Sequence, residues 1–117
     1  MSNDPNCIFC RIINKTIPAK IVYEDEFALA FEDVNPQAPV HTLVVPKRHI
    51  PDIHSMTKAD KDLVGHLFFV AQTIALTKGL DAGGYRMVIN NGSGAGQTVF
   101  HLHLHVLSGR HFTWPPG

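Results

Sequence analysis

Between Leu63 and Ala75 the apolar residues Leu63, Val64, Leu67, Phe68, Ala71, Ile74 and Ala75 recur at spacings of three and four, which predicts one long helix with a single apolar face. Thr57 is a good N-cap for it, Asp60 places an anion in the first turn, and Lys78 with Gly79 supplies a basic last turn and a stop. Elsewhere the period shortens to two. Ile21, Tyr23 and the run Phe27 to Phe31 flank the acidic turn Glu24-Asp25-Glu26 and read as a hairpin. His41 to Val45 reads as a strand ended by Pro46, and Tyr85 to Asn90 and His101 to Leu107 as two more. Ile8 to Asn14 has room for a turn or two of helix, closed before Ile17-Pro18, and the NPQAP piece from Asn35 to Pro39 must be a loop. Strands, then one long helix, then strands again describe an α+β fold: a five-stranded antiparallel sheet with one long helix and a short N-terminal helix. No repeat or linker divides the chain, so residues 1–117 are expected to form a single domain.

Composition narrows the function classes. Ten acidic residues balance ten basic ones, so there is no charge footprint for a nucleic-acid partner. The longest apolar run, Leu67 to Ala71, is far below the roughly 20 residues of a membrane span, and Met1 to Pro5 open with polar residues in place of a signal segment. A cytoplasmic protein is the expectation. The two cysteines, Cys7 and Cys10, form one C-x-x-C, too few for a disulfide scaffold and better matched to metal or redox chemistry.

The candidate chemistry lies in HLHLHV. On a strand His101, His103 and His105 share one face while Leu102, Leu104 and Val106 anchor the other in the core, and alternate Cα positions lie about 6.6 Å apart. Three imidazoles on one row can share a substrate or a metal. Just before them, Asn90 to Thr98 (NNGSGAGQT) is rich in glycine and small polar residues, so it reads either as a plain connection or as a backbone cradle for an anion. It is not a P-loop: the lysine is missing and a strand follows. Cys7 and Cys10 alone are half of a tetrahedral metal site, with a thiol redox pair and a reduced core pair as alternatives.

HLHLHVL matches the His-φ-His-φ-His-φ-φ signature of the histidine triad (HIT) family, where φ is hydrophobic. With IPAK, NPQAP after Asp33, VVPKRHI, GQT and the terminal WPPG, the chain resembles the Hint branch, the purine nucleoside phosphoramidate hydrolases, over nearly its whole length. The resemblance implies a HIT-like fold and hydrolysis of AMP- or GMP-amine compounds through a covalent nucleotidyl-histidine. It assigns His103 as nucleophile. His105, Thr98 and the backbone at Gly96 and Gln97 would hold the phosphate, with His41, His101 and Asn90 in supporting roles. Ile8, Phe9, Ile12, Phe31 and Val34 would line the base pocket, residues that without the family read as core, and Asp33 would accept the ribose hydroxyls. Cys7, Cys10, His49 and His101 would bind a structural zinc, with no organic cofactor, and a homodimer is implied. The competing readings are a metal-dependent hydrolase with the triad as ligands, a dinucleoside polyphosphate hydrolase or nucleotidyl transferase of the same family, and a nucleotide-binding scaffold with little turnover.

Overall fold

The computed structural model describes residues 4–117, so the polar opening Met1 to Asn3 lies outside the described residues. A short helix α1 (Ile8–Ile13) leads into β1 (Ile21–Glu24), β2 (Ala28–Glu32) and β3 (Val40–Pro46). The long helix α2 (Lys61–Lys78) follows, then β4 (Tyr85–Val88) and β5 (Leu104–Ser108). The five strands form one sheet in the order β1-β2-β3-β5-β4, every neighbouring pair antiparallel. The α+β expectation holds. Among the described residues no helix is long and apolar enough to cross a membrane.

The sheet is covered on both faces, which is why Ala28, Leu29, Ala30 and Phe31 are all buried and β2 shows no alternation. On one face Ala28, Ala30, Val44, Leu104 and Val106 meet Leu67, Val70, Ala71 and Ile74 of α2. On the other, Leu29, Phe31, Leu43 and Val45 meet Phe9, Cys10, Ile12 and Ile13 of α1. At the start of α2, Asp60 accepts the Thr57 N–H at 2.8 Å, and at its end Gly79 adopts φ 67°, the left-handed geometry in which its N–H reaches back to Ala75 and Leu76.

Two boundaries and one helix face depart from the sequence reading. The first turn, Lys58–Asp60, is a 3-10 turn before α2 proper. Phe68 faces outward at 42% exposure, with Phe69 and Leu76, while Val70 takes the buried position, because the face pressed on the sheet is centred on Leu67, Ala71 and Ile74. The strand of the triad begins at Leu104, three residues later than expected. Its ladder with β3 ends at the pair Val44↔Leu104, and beyond it Pro46 has no N–H to donate. The chain stays extended there by other means: the Leu102 N–H donates to the Ile50 carbonyl at 2.7 Å.

The turn between β1 and β2 is organised by Asp25. Its Oδ1 accepts the N–H groups of Phe27 and Ala28, both at 2.8 Å, and its Oδ2 accepts the Tyr23 hydroxyl at 2.7 Å and His66 Nε2 of α2 at 2.6 Å. Burial alone would raise the Asp25 pKa; the four donors outweigh it and hold the carboxyl at about 2, below its ordinary 3.8. A depressed carboxyl pKa contributes stability that is complete above the unfolded value and vanishes as pH falls through the folded one. The shift corresponds to about 2 kcal/mol. Urea denaturation of wild type and Asp25→Asn is therefore expected to show a gap of that order at pH 7 that closes as pH is lowered from about 4 to about 2. A gap independent of pH would mean that the carboxylate is not the source.

Candidate active site

The register of the sheet assembles the site. Beyond the last β2–β3 ladder pair, Glu32↔Thr42, the Asp33 N–H still donates to the His41 carbonyl at 2.9 Å, so Asp33 and His41 fall on the same side. His105 lies opposite Leu43 on β5, and Leu43 lies opposite Phe31 on β2. That row places a histidine beside two apolar residues on the face that α1 covers. His103 continues it, its ring 4.9 Å from that of His105 and edge-on to Phe9 at 5.1 Å and 89°.

Backbone groups decide where each imidazole carries its proton. His103 Nδ1 is 2.8 Å from the His101 carbonyl oxygen, which can only accept, so Nδ1 holds the hydrogen and Nε2 is left with a free lone pair. His41 Nδ1 accepts the Gln37 N–H at 3.0 Å, so the proton of a neutral His41 is on Nε2, which donates to His105 Nδ1 at 2.9 Å. His105 then carries its own proton on Nε2. Adjacent rings are thus given opposite characters, a nucleophilic nitrogen on His103 and a donor on His105. Burial keeps all of them neutral at ordinary pH. It lowers the His103 pKa against the pull of the His101 carbonyl, lowers that of His41 against Asp33 and Glu32, and with the neighbouring His103 and His41 brings His105 down to about 4.

These groups border a cavity of about 270 Å³. Of the residues expected to bind substrate, Ile8, Phe9, Ile12, Phe31, Asp33, Val34, Thr98, His103 and His105 line it. The sequence reading missed Ile17, Pro18, Ala19, Glu32, Leu43 and Val99; the IPAK segment was noticed only as a family likeness, although its proline and alanine form part of the wall. Asn90, Gly96 and Gln97 lie behind the lining. The N–H groups of Gly96 and Gln97 donate to Ser93 and Gly92 within the loop, and the Gln97 side chain takes the Gly92 N–H and gives its own to Pro51 and Val99. Gln97, 2% exposed, therefore shapes the loop, and Thr98 is the loop residue that faces the cavity. An added Cβ on Gly96 would approach the Asn90 amide nitrogen at 3.8 Å, and its φ of 96° is the stronger demand for glycine.

His101 does not line the cavity. Fully buried, it directs Nε2 to the Pro46 carbonyl at 2.8 Å, which fixes the proton there and leaves the Nδ1 lone pair facing Cys7, Cys10 and His49. Burial lowers its pKa to about 4. The four donor atoms lie within 4.8 Å of one another. The nitrogens of His49 and His101 are 3.1 Å apart, and the sulfur-to-nitrogen separations are 3.3 to 3.5 Å. A tetrahedral zinc with ordinary bond lengths requires edges of about 3.4 Å between nitrogens and about 3.6 Å between sulfur and nitrogen. The donor set fits. Burial raises the Cys7 thiol pKa, and a bound cation would favour its thiolate. Supporting contacts are also present, with the Cys10 N–H on Cys7 Sγ at 3.3 Å and Asp4 Oδ2 3.8 Å from His49 Nε2. This cluster can bind a metal ion.

A second cluster among the described residues, Asp33, His41 and His105, gathers three donor atoms equally closely. Its hydrogen bonds instead fix which nitrogen of His41 and His105 carries the proton. His41 has no lone pair to give at Nε2 while Nδ1 accepts from Gln37.

Comparison with known proteins agrees with this geometry. The sequence model of the HIT domain matches residues 14–112. A HIT-like protein of Synechocystis sp. is 56% identical over 110 residues, which are 94% of this chain and 96% of that protein. Among solved structures, a HIT family hydrolase from Legionella pneumophila superposes with a TM-score of 0.93 at 48% identity, covering 96% of this chain and all of that one. A histidine triad protein from Clostridium difficile superposes with a TM-score of 0.92 at 45% identity, covering 95% and 96%. With the domain match spanning most of its length and His103 and His105 of the alternating row seated at a cavity on the sheet, the chain belongs to the HIT domain family.

Proposed function

We propose that this protein hydrolyses purine nucleoside 5′-phosphoramidates to the nucleoside monophosphate and an amine. The observation that carries the reading is the pair of opposed tautomers on His103 and His105 at the edge of an apolar cavity. His103 Nε2 forms a bond to the α-phosphorus and the phosphorus–nitrogen bond breaks, the departing amine taking a proton passed from solvent water through the Thr98 hydroxyl, which the water that attacks in the second step returns to solvent. The Nδ1–H of the resulting nucleotidyl-histidine stays on the His101 carbonyl, which stabilises the positive ring. The His105 Nε2–H donates to a non-bridging phosphate oxygen as charge builds there. Water then attacks phosphorus and His103 leaves. The purine sits among Ile8, Phe9, Ile12, Phe31 and Val34. The metal cluster would hold zinc in a structural role, fastening α1 and the start of the triad segment, and takes no part in bond making. The Legionella neighbour is itself described as a hydrolase, which favours turnover over a purely binding role.

Asp33 keeps lone pairs for the ribose: its Oδ1 accepts the Asn35 N–H at 2.9 Å and its Oδ2 stands 3.4 Å from His41 Nε2. Asp33→Ala is expected to raise KM for adenosine 5′-phosphoramidate by about 10- to 100-fold with a smaller effect on kcat. Steady-state kinetics check this, and a 2′,3′-dideoxy substrate should lose its disadvantage in the variant. Equal losses on both sugars would remove Asp33 from ribose binding.

A homodimer completes the reading. Phe68, Phe69, Gln72, Tyr85 and Met87 border one apolar hollow on the outer side of α2 and beside the edge strand β4. Phe112 lies between the guanidinium groups of Arg110 and Arg86, at 4.3 and 5.3 Å, and Trp114 beyond it is 82% exposed, positioned to meet a second copy. Phe69→Asp combined with Met87→Asp is expected to sediment as a monomer while wild type sediments as a dimer; identical sedimentation of the two would reject this face.

A further inference from the structure

The metal cluster and the cavity meet at one side chain. Phe9 stands between Cys7 and Cys10 in the sequence and on the six-residue helix α1. Its ring is edge-on to His103 at 5.1 Å, to Phe31 at 5.3 Å and to His101 at 6.0 Å. A second connection runs through the main chain. His101 turns its ring nitrogen to the cysteines and offers its carbonyl to His103 Nδ1 at 2.8 Å, so the group that fixes the nucleophile belongs to a metal-cluster residue. A helix this short is not sustained by its own hydrogen bonds, and its position depends on what holds it from outside. Two of those holds are Cys7 and Cys10.

We propose that Phe9, as a positioning residue, and the main chain of His101 couple the metal cluster to the nucleotide pocket, so that zinc and a purine nucleotide each bind more tightly when the other is present. The inference rests on the nucleotide reading above. An ordered α1 presents Phe9 to the base and to His103 together, and a seated nucleotide in turn holds α1, and with it both thiols, in the ligating position. Linkage makes the two effects equal: the factor by which zinc improves nucleotide affinity is the factor by which nucleotide improves zinc affinity.

The test uses the full chain and AMP as probe. AMP affinity is measured by calorimetry on zinc-loaded protein and on protein stripped with a chelator, and zinc affinity by competition with a chromophoric chelator with and without saturating AMP. Both ratios are expected to be about tenfold and to agree. Phe9→Leu should keep zinc affinity within about twofold when AMP is absent, yet lose most of the AMP effect at concentrations that saturate the variant. Should the stripped protein unfold, the zinc measurements are still read with and without AMP. Linkage through global folding would survive Phe9→Leu and overturn the proposal. Equal zinc affinities with and without AMP, or AMP binding with no zinc binding at all, overturn the coupling and leave the nucleotide reading standing. Zinc binding without any AMP binding overturns both.

Discussion

Replacing His103 by alanine is expected to lower kcat for adenosine 5′-phosphoramidate by about 10⁴-fold or more, while AMP affinity should change by less than about tenfold. The size of the expected loss follows from the tautomers. His103 Nε2 has a free lone pair because the His101 carbonyl holds the hydrogen on the other nitrogen, and among the cavity-lining imidazoles His105 cannot substitute: its Nδ1 is engaged by His41 and its Nε2 carries the proton. Rapid quenching of wild type with a phosphorus-labelled substrate should trap an acid-labile adduct on residue 103, and the variant should trap none. The fold should survive, since Phe9, Phe31 and the α2 face remain to pack the core. Turnover in His103→Ala at the wild-type rate would end the covalent scheme.

The second large effect is on stability. Cys10→Ser is expected to abolish stoichiometric zinc and to cost about 4 kcal/mol, lowering Tm by roughly 15 °C in a domain of this size. Cys10 is completely buried beside His49 and His101, so replacing its sulfur removes one of the four converging donors. The loss should stop short of complete unfolding, because the α2 core shares no residue with the metal cluster. Calorimetry of wild type with and without a chelator should reproduce the same shift, and Cys10→Ser should be insensitive to the chelator. Equal Tm values for all four samples would show that no metal contributes to the fold.

How legible was this in the sequence? The long helix and the antiparallel strands were, because α2 repeats at helical spacing and the histidines alternate with leucine and valine, whereas the strand order was not. The family pattern pointed to nine of the residues that line the cavity. Less visible was which nitrogen of each ring carries hydrogen. That is set by the carbonyls of Pro46 and His101 and the N–H of Gln37, main-chain groups whose direction no residue type encodes. For the loop Asn90 to Thr98 the sequence left two readings open, a plain connection and a cradle for an anion. Its glycines suggested N–H groups open to an anion, whereas Gln97 draws the loop in on itself and spends those donors internally. Phe68 was assigned inward because helical spacing permits it. Only the curvature of contacts around Leu67 and Ala71 gives the place to Val70.

The two rims of the sheet are unlike. The ladder of β4 with β5 runs without a break, whereas β1 breaks register against β2 between Ile21 and Tyr23, and its Glu24 is gripped by Lys15 and Lys47, both at 2.8 Å. A kinked, charged margin makes a poor template for a further strand. Among the described residues β4 is therefore the rim better suited to pairing, and two copies joined through it would each use up that rim, closing the pair instead of extending into a fibre.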